Sequence, residues 1–148
     1  MPFHFSLQAI LHLRQSLERQ HELRLRAANQ LVARVQRLIA QLDERQNALR
    51  GNQAQALHAG TTVAELRFTL SCESMLLQQR RDLERELTRL QKLRDEQQKV
   101  FQYARLQRET LASLRARQLH EYEREAAPRQ QRQLDDLFLL RRAYLQRG

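Results

Sequence analysis

The sequence predicts an all-α fold: an antiparallel two-helix coiled-coil hairpin whose second helix is the longer and overhangs the first. Three observations carry that prediction. Only three glycines and two prolines interrupt 148 residues, and in a helix interior glycine costs about 1 kcal/mol and proline about 3. Leucines recur at spacings of three and four nearly throughout, which lines them along one helix face. Gly51 and Gly60 bracket the one interruption of that pattern, and a short connection makes two helices antiparallel neighbours. One helical-hairpin domain over 1–148 follows.

The first helix is expected over about 6–50. Ser6 reads as its N-cap, with Phe5 before it and Ile10 four helical positions on, the spacing of a hydrophobic staple. One heptad frame then places Leu7, Ala28, Val35, Leu42 and Leu49 at a and Ile10, Leu17, Leu31 and Leu38 at d. Leu11, Leu25, Val32 and Ile39 widen the stripe at e, while Arg14, His21 and Arg24 interrupt it. The turn is expected over about 51–61, although Gln53–Ala59 is itself compatible with helix.

Thr62 and Glu65 form an S/T-x-x-E capping box that starts the second helix, expected over about 62–127. Leu76, Leu83, Leu90, Ala104 and Leu111 take its a positions, and Leu93, Val100 and Leu114 its d positions. Fold-back about Ala56 sets Ser6 opposite roughly Leu106 and leaves everything beyond without a partner. That overhang still carries Leu111, Leu114, Leu119, Tyr122, Leu134, Leu137, Phe138, Leu139, Leu140, Tyr144 and Leu145. Apolar residues on a lone helix call for a second chain to cover them. Pro128 should kink or break the helix, because its ring clashes with the carbonyl four residues back. A C-terminal helical extension over about 129–146 is expected after it.

Composition agrees with a long helix rather than a globular core. Charged residues make up 29% and aromatics 5%, without tryptophan, and Leu, Ala, Arg, Glu and Gln dominate. The formal charge is +9, which suits nucleic acid, anionic lipid or an acidic protein partner. Almost all of it is arginine, spread along the chain and mixed with acids, so an arginine-rich genome explains it equally well. Cys72 is the single cysteine, which excludes an intrachain disulfide and fits a reducing compartment. His4, His12 and Arg14 interrupt any secretory h-region, and no run of about 18 apolar residues spans a membrane. A cytoplasmic location is expected.

No catalytic constellation is present, so the chain is not expected to be an enzyme, and no cofactor is expected. Glycine-rich phosphate loops, G-x-S-x-G, H-E-x-x-H and C-x-x-C are all missing from the sequence. His4, His12, His21, His58 and His120 never stand at i and i+4, the spacing that puts two metal ligands on one helix face. His21 reads as a tolerated polar seam residue, and Cys72 as packing rather than a redox centre. Glu84 and Glu86, or Glu121, Glu123 and Glu125, are two apart and do not face each other on a helix.

The opening Phe3-x-Phe5-Ser6-Leu7-Gln8-x-Ile10-Leu11-x-Leu13-Arg14 resembles the N-terminal signature of the FliJ family, small coiled-coil components of the bacterial flagellar export apparatus. Length, the glycine-bracketed turn a third of the way along and the long second helix are similar to the family across nearly the whole chain. The resemblance implies a stalk, similar in fold to the gamma subunit of rotary ATP synthases, whose paired termini enter the central hole of a hexameric export ATPase. It implies that the hairpin body engages the transmembrane export gate, and that export chaperones are escorted. By that analogy Phe3, Phe5, Leu7, Leu11, Leu137, Phe138, Leu139 and Leu140 lie at the ATPase end. Leu42, Leu49 and Phe68 fall in the gate-binding region, although for Leu42 and Leu49 seam packing is the simpler role. Arg45 and Leu49 depart from the aromatics that family members carry there.

Other functions compete with the stalk. Arg80, Arg81, Arg85, Arg89 and Arg94 make a basic strip, but Asp82, Glu84 and Glu86 alternate with them, which ranks nucleic-acid binding below protein contact. Arg141 and Arg142 beside Leu137–Leu140 suit weak peripheral contact with the inner face of the cell membrane. A generic homo-oligomeric coiled-coil adaptor and the equivalent stalk of an injection-type secretion system complete the alternatives.

Overall fold

A computed structural model describes residues 2–147 of the chain. Among the described residues two helices account for nearly everything: α1 (Gln8–Ala59) and α2 (Val63–Arg147). They form the expected all-α hairpin, with the second helix longer.

The turn is far shorter than the 51–61 expected. Helix α1 runs straight through Gly51 to Ala59, leaving only residues 60–62 between the helices. Gly51 costs about 1 kcal/mol there, but Gln53, Ala54, Gln55, Ala56 and Leu57 are good helix formers that carry the helix on. Gly60 is where freedom is required: its φ is +90°, a left-handed geometry that commonly ends a helix and suits glycine. The capping box forms as expected. The Glu65 N–H donates to the Thr62 hydroxyl oxygen at 3.2 Å, and the Thr62 N–H donates to the Glu65 carboxylate at 3.4 Å. Thr61 adds its hydroxyl to the same carboxylate at 2.9 Å.

At the other end α1 begins slightly later than Ser6 predicts. Its first helical bond runs from the Leu11 N–H to the Leu7 carbonyl at 2.9 Å, so Leu7, not Ser6, holds the cap position. The Gln8 N–H donates to the Phe5 carbonyl at 3.1 Å, and burial of the Phe5 side chain, 3% exposed, fixes the entry.

Pro128 does not break α2, which continues to Arg147 as one helix instead of an extension after 129. The proline removes one backbone donor, yet good helix formers flank it and the helix surface there is exposed on every side.

Two compact units divide the chain. In Arg19–Gln102, Val32, Val35 and Leu90 form the core, with Ile39, Leu83 and Leu87 packed against it. Ion pairs between Asp43 and Arg80 and between Arg50 and Glu73 mark the antiparallel register. From Ala28 on, the covered positions of α1 apart from Asp43 follow a four-three spacing: Ala28, Val32, Val35, Ile39, Leu42, Gln46, Leu49 and Gln53. That is the a and e rows of the frame, not a and d. Leu31, Leu38, Leu93 and Val100, expected at d, are exposed. A stripe three rows wide meets a single partner helix, which covers only two of them. The seam is imperfect near one end, where His21 Nδ1 and Gln97 Oε1 are buried without a hydrogen-bond partner.

In the unit made of Met1–Glu18 and Tyr103–Gly148, the helices meet largely through polar groups. Arg14 donates to Gln107, and Arg115 donates to Gln8 Oε1 at 3.0 Å. Arg108 donates to Glu18 at 2.5 Å, a hydrogen bond that holds its guanidinium pKa above the ordinary value. Phe5, Leu11 and Ala104 are the buried apolar residues. Register differs from fold-back about Ala56. Because the turn sits at 60–62, Gln8 meets Arg115 and Phe3 reaches Tyr122, so α2 is covered well past Leu106. Leu111, Leu114, Leu119 and Tyr122 are accordingly half-buried, and the uncovered part of α2 begins at residue 127.

Candidate docking surface

Residues 127–147 form the most conspicuous surface of the chain, because every one of them is exposed. The sequence nevertheless places Leu134, Leu137, Phe138, Leu139, Leu140, Tyr144 and Leu145 there. Exposure runs from 58% at Leu139 to 79% at Tyr144. At 100° per residue Leu134, Leu137, Phe138, Tyr144 and Leu145 share one broad face, and Leu140 borders it. Isolated exposed leucines are ordinary, whereas a contiguous apolar face on a helix without a neighbour is the kind of patch that marks interaction sites. Arg141 falls within it, and Arg129, Arg132, Arg142 and Arg147 lie outside it, against Asp135 and Asp136.

The N-terminal candidates divide. Phe5 and Leu11 are buried and Leu7 is partly covered, so their apolar surface is occupied by their own chain. Phe3 is half-exposed: its ring lies 5.6 Å from that of Tyr122, tilted by 51°, with the Arg115 guanidinium 5.7 Å from its centroid. Such an aromatic pair with a cation on its face is worth about 1 kcal/mol or somewhat more. This cluster fastens the start of the chain beside the stretch of α2 that precedes residue 127. Leu137, Phe138, Leu139 and Leu140 touch none of it and stand free.

Beside the turn lies a second surface. Leu49 and Phe68 line an open groove of about 510 Å³ together with Asn52, Ala56, Ala64 and Thr69. Phe68 is 72% exposed, and Leu57, Val63, Leu70 and Met75 are also exposed nearby in sequence. Leu42 is buried in the seam, as its simpler role required. The groove therefore brings together two of the three gate candidates and not the third.

Sequence reasoning overlooked two surfaces. Leu134, Tyr144 and Leu145 were legible as overhang but not singled out as contact residues. The exposed row of Leu31, Leu38, Leu93 and Val100 was hidden by assigning it to the seam. Its signal was the third apolar row in α1, one more than a two-helix seam uses.

Part of the charge on α2 is paired locally, while Arg81 and Arg85 take part in no ion pair among the described residues. Arg80 pairs with Glu84 at 3.0 Å, Arg89 with Glu86 at 2.5 Å and Arg105 with Glu109 at 3.0 Å. The hydrogen bond from Arg89 holds the Glu86 carboxyl below the usual carboxylate range. Among the described residues no three His, Cys, Asp or Glu side chains gather closely enough to hold a metal ion. No helix among them is long and apolar enough to cross a membrane.

The surfaces thus belong to a helical hairpin with a bare, apolar helix end. The family model for Flagellar FliJ protein matches residues 3–148, nearly the whole chain. No curated protein and no solved structure matches it. The chain belongs to the FliJ family.

Proposed function

We propose that the chain is a non-catalytic stalk that binds the hexameric flagellar export ATPase through the uncovered end of α2 and couples it to the transmembrane export gate. Family membership makes it a component of flagellar protein export. The observation that carries the finer reading is the exposure of Leu137, Phe138, Leu139 and Leu140 on a helix without a neighbour. A single helix is only about 10–12 Å across, slim enough to project into the central hole of a ring ahead of the paired helices. Phe3, Phe5, Leu7 and Leu11 act at this end as a brace, holding the chain start on α2 so that only the last turns project. Leu49 and Phe68 in the groove beside the turn are the gate contacts, and Leu42 supports them from the seam. Export chaperones are carried as transient cargo, and Arg141 and Arg142 add weak contact with anionic lipid at the inner face of the cell membrane.

Asp82, Glu84 and Glu86 alternate with the arginines of α2, and Arg80 and Arg89 pair with Glu84 and Glu86. This favours protein contact over nucleic acid, since the latter requires uncompensated charge along one face. The test is turnover of the cognate export ATPase with and without the chain at physiological salt. Saturable stimulation, lost on deleting Leu137–Leu140, is expected. No effect on rate or hexamer assembly, together with salt-sensitive DNA binding, would contradict the stalk.

A further inference from the structure

We propose that the uncovered end of α2 is also a self-association site, on which a second copy of the chain pairs antiparallel. The segment Asp135-Asp136-Leu137-Phe138-Leu139-Leu140-Arg141-Arg142 is a charge palindrome: acids precede an apolar centre and arginines follow it at matching distances. Residues seven apart lie within about 20° of one another around a helix. Asp135 and Arg142 therefore edge the same border of the Leu134–Phe138–Leu145 face. In a two-fold antiparallel pair the same border of each helix meets. Centred between Phe138 and Leu139, that pair sets Asp135 level with Arg142 of the partner subunit, and Arg142 level with Asp135 of the partner subunit. In a parallel two-fold pair opposite borders meet, so Asp135 and Arg142 would face the apolar Leu140 and Tyr144 border of the other copy; only the antiparallel pair matches charge to charge.

A second observation agrees. Other acids of α2, such as Glu84, Glu86 and Glu109, have an arginine three or four residues away and pair with it. Asp135 and Asp136 have Arg132 three and four residues before them, yet no ion pair forms there, while Asp135 and Arg142 are seven apart and Asp136 and Arg141 five apart, too far along the helix to pair within one chain. Among the described residues none of Arg132, Asp135, Asp136, Arg141 and Arg142 takes part in an ion pair, and Asp135 accepts only from the Gln131 amide, at 3.2 Å. Arg141 lies within the apolar face. In the antiparallel pair it comes within one turn of Phe138 of the partner subunit, where a guanidinium is favoured over the ring.

Because this is also the face proposed to enter the ATPase ring, self-pairing and ring entry exclude one another, and the chain is held in reserve as a weak dimer until the ring displaces one copy. That consequence rests on the proposed function; the pairing does not, and is tested on the chain alone. Sedimentation of the full chain over rising concentration should show mass increasing reversibly toward a dimer. Asp135→Arg and Arg142→Asp should each weaken the association about tenfold, since each turns two attractive contacts into two repulsive ones. The double variant D135R/R142D should recover it, and an equimolar mixture of the two single variants should associate more tightly than either alone. Circular dichroism confirms that each variant stays helical. A chain that remains monomeric at the highest concentration, or single reversals without effect and a mixture without gain, overturns the proposal. Should dimerisation hold while ATPase turnover is unaffected by the chain, the pairing stands and the stalk function falls.

Discussion

Two stretches of α2 have similar sequences and opposite fates. Around Leu83, Leu87 and Leu90 the helix lies against Val32, Val35 and Ile39 of α1 and forms the core. Around Leu137–Leu140 an even denser apolar run meets nothing. Helical period and apolar content do not separate the two; the length of α1 does. Where the first helix reaches, the rows that face it are covered and a third row stays exposed; where it does not reach, every row is exposed. The difference teaches that an apolar residue beyond that reach adds little to the stability of the hairpin and is left free for the association proposed above.

Truncations test that contrast most strongly. Leu90→Ala should destabilise the chain by about 2–5 kcal/mol, read from urea unfolding followed by circular dichroism. Leu137→Ala should change the same measurement by no more than about 0.5 kcal/mol while lowering stimulation of the export ATPase. Equal losses at the two sites would break the comparison.

Within the seam itself the weak layer provides a sharper test. His21→Leu removes a buried, unpartnered ring nitrogen and adds apolar contact, so it should raise stability by about 1–2 kcal/mol. A loss would mean that the imidazole makes a contact the seam depends on.

The turn decides how far α1 reaches, so its devices come next. Thr62→Ala deletes the oxygen that accepts the Glu65 N–H and should cost about 1 kcal/mol in unfolding free energy. Gly51→Ala should do the opposite. A Cβ there meets nothing within 4 Å, and alanine in a helix interior gains about 0.5–1 kcal/mol over glycine. The same change at Gly60, with its positive φ, should destabilise, so thermal melts of the two alanine variants should shift in opposite directions.

The smallest effect is electrostatic. Glu86 has a depressed folded pKa, so the stability it contributes is present above the unfolded carboxylate range and fades as pH falls through the folded value. The pair is exposed, and the contribution is correspondingly small. An NMR titration should give Glu86 a midpoint below that of an unpaired glutamate, and Arg89→Gln should return it to the ordinary value.

Much of the fold was legible because helix and hairpin are written in local terms: scarce glycine and proline, three-four spacing, and Thr62 with Glu65. The turn was misplaced because Gly51 was read as a stop, whereas the helix formers after it outweigh one glycine. That error alone moved the expected register and lengthened the overhang back to Leu106. The seam rows were misassigned for a different reason. With a, d and e all apolar in α1, spacing cannot say which two rows a single partner will cover, and only the packed helices decide. Pro128 was overrated as a breaker. Of the site, the free end was visible as apolar residues beyond the hairpin and Leu42 as a seam position, while burial of Phe5 and Leu11 depends on tertiary contacts that the opening motif does not encode.

Amide hydrogen exchange of the chain with and without the assembled export ATPase tests the central claim most directly. The account predicts that residues 127–147 exchange fast in the free chain and become strongly protected on the ring. Exchange around Val32, Val35 and Leu90 should be unchanged. Protection confined to the groove of Leu49 and Phe68, with 127–147 still exchanging freely, would contradict it.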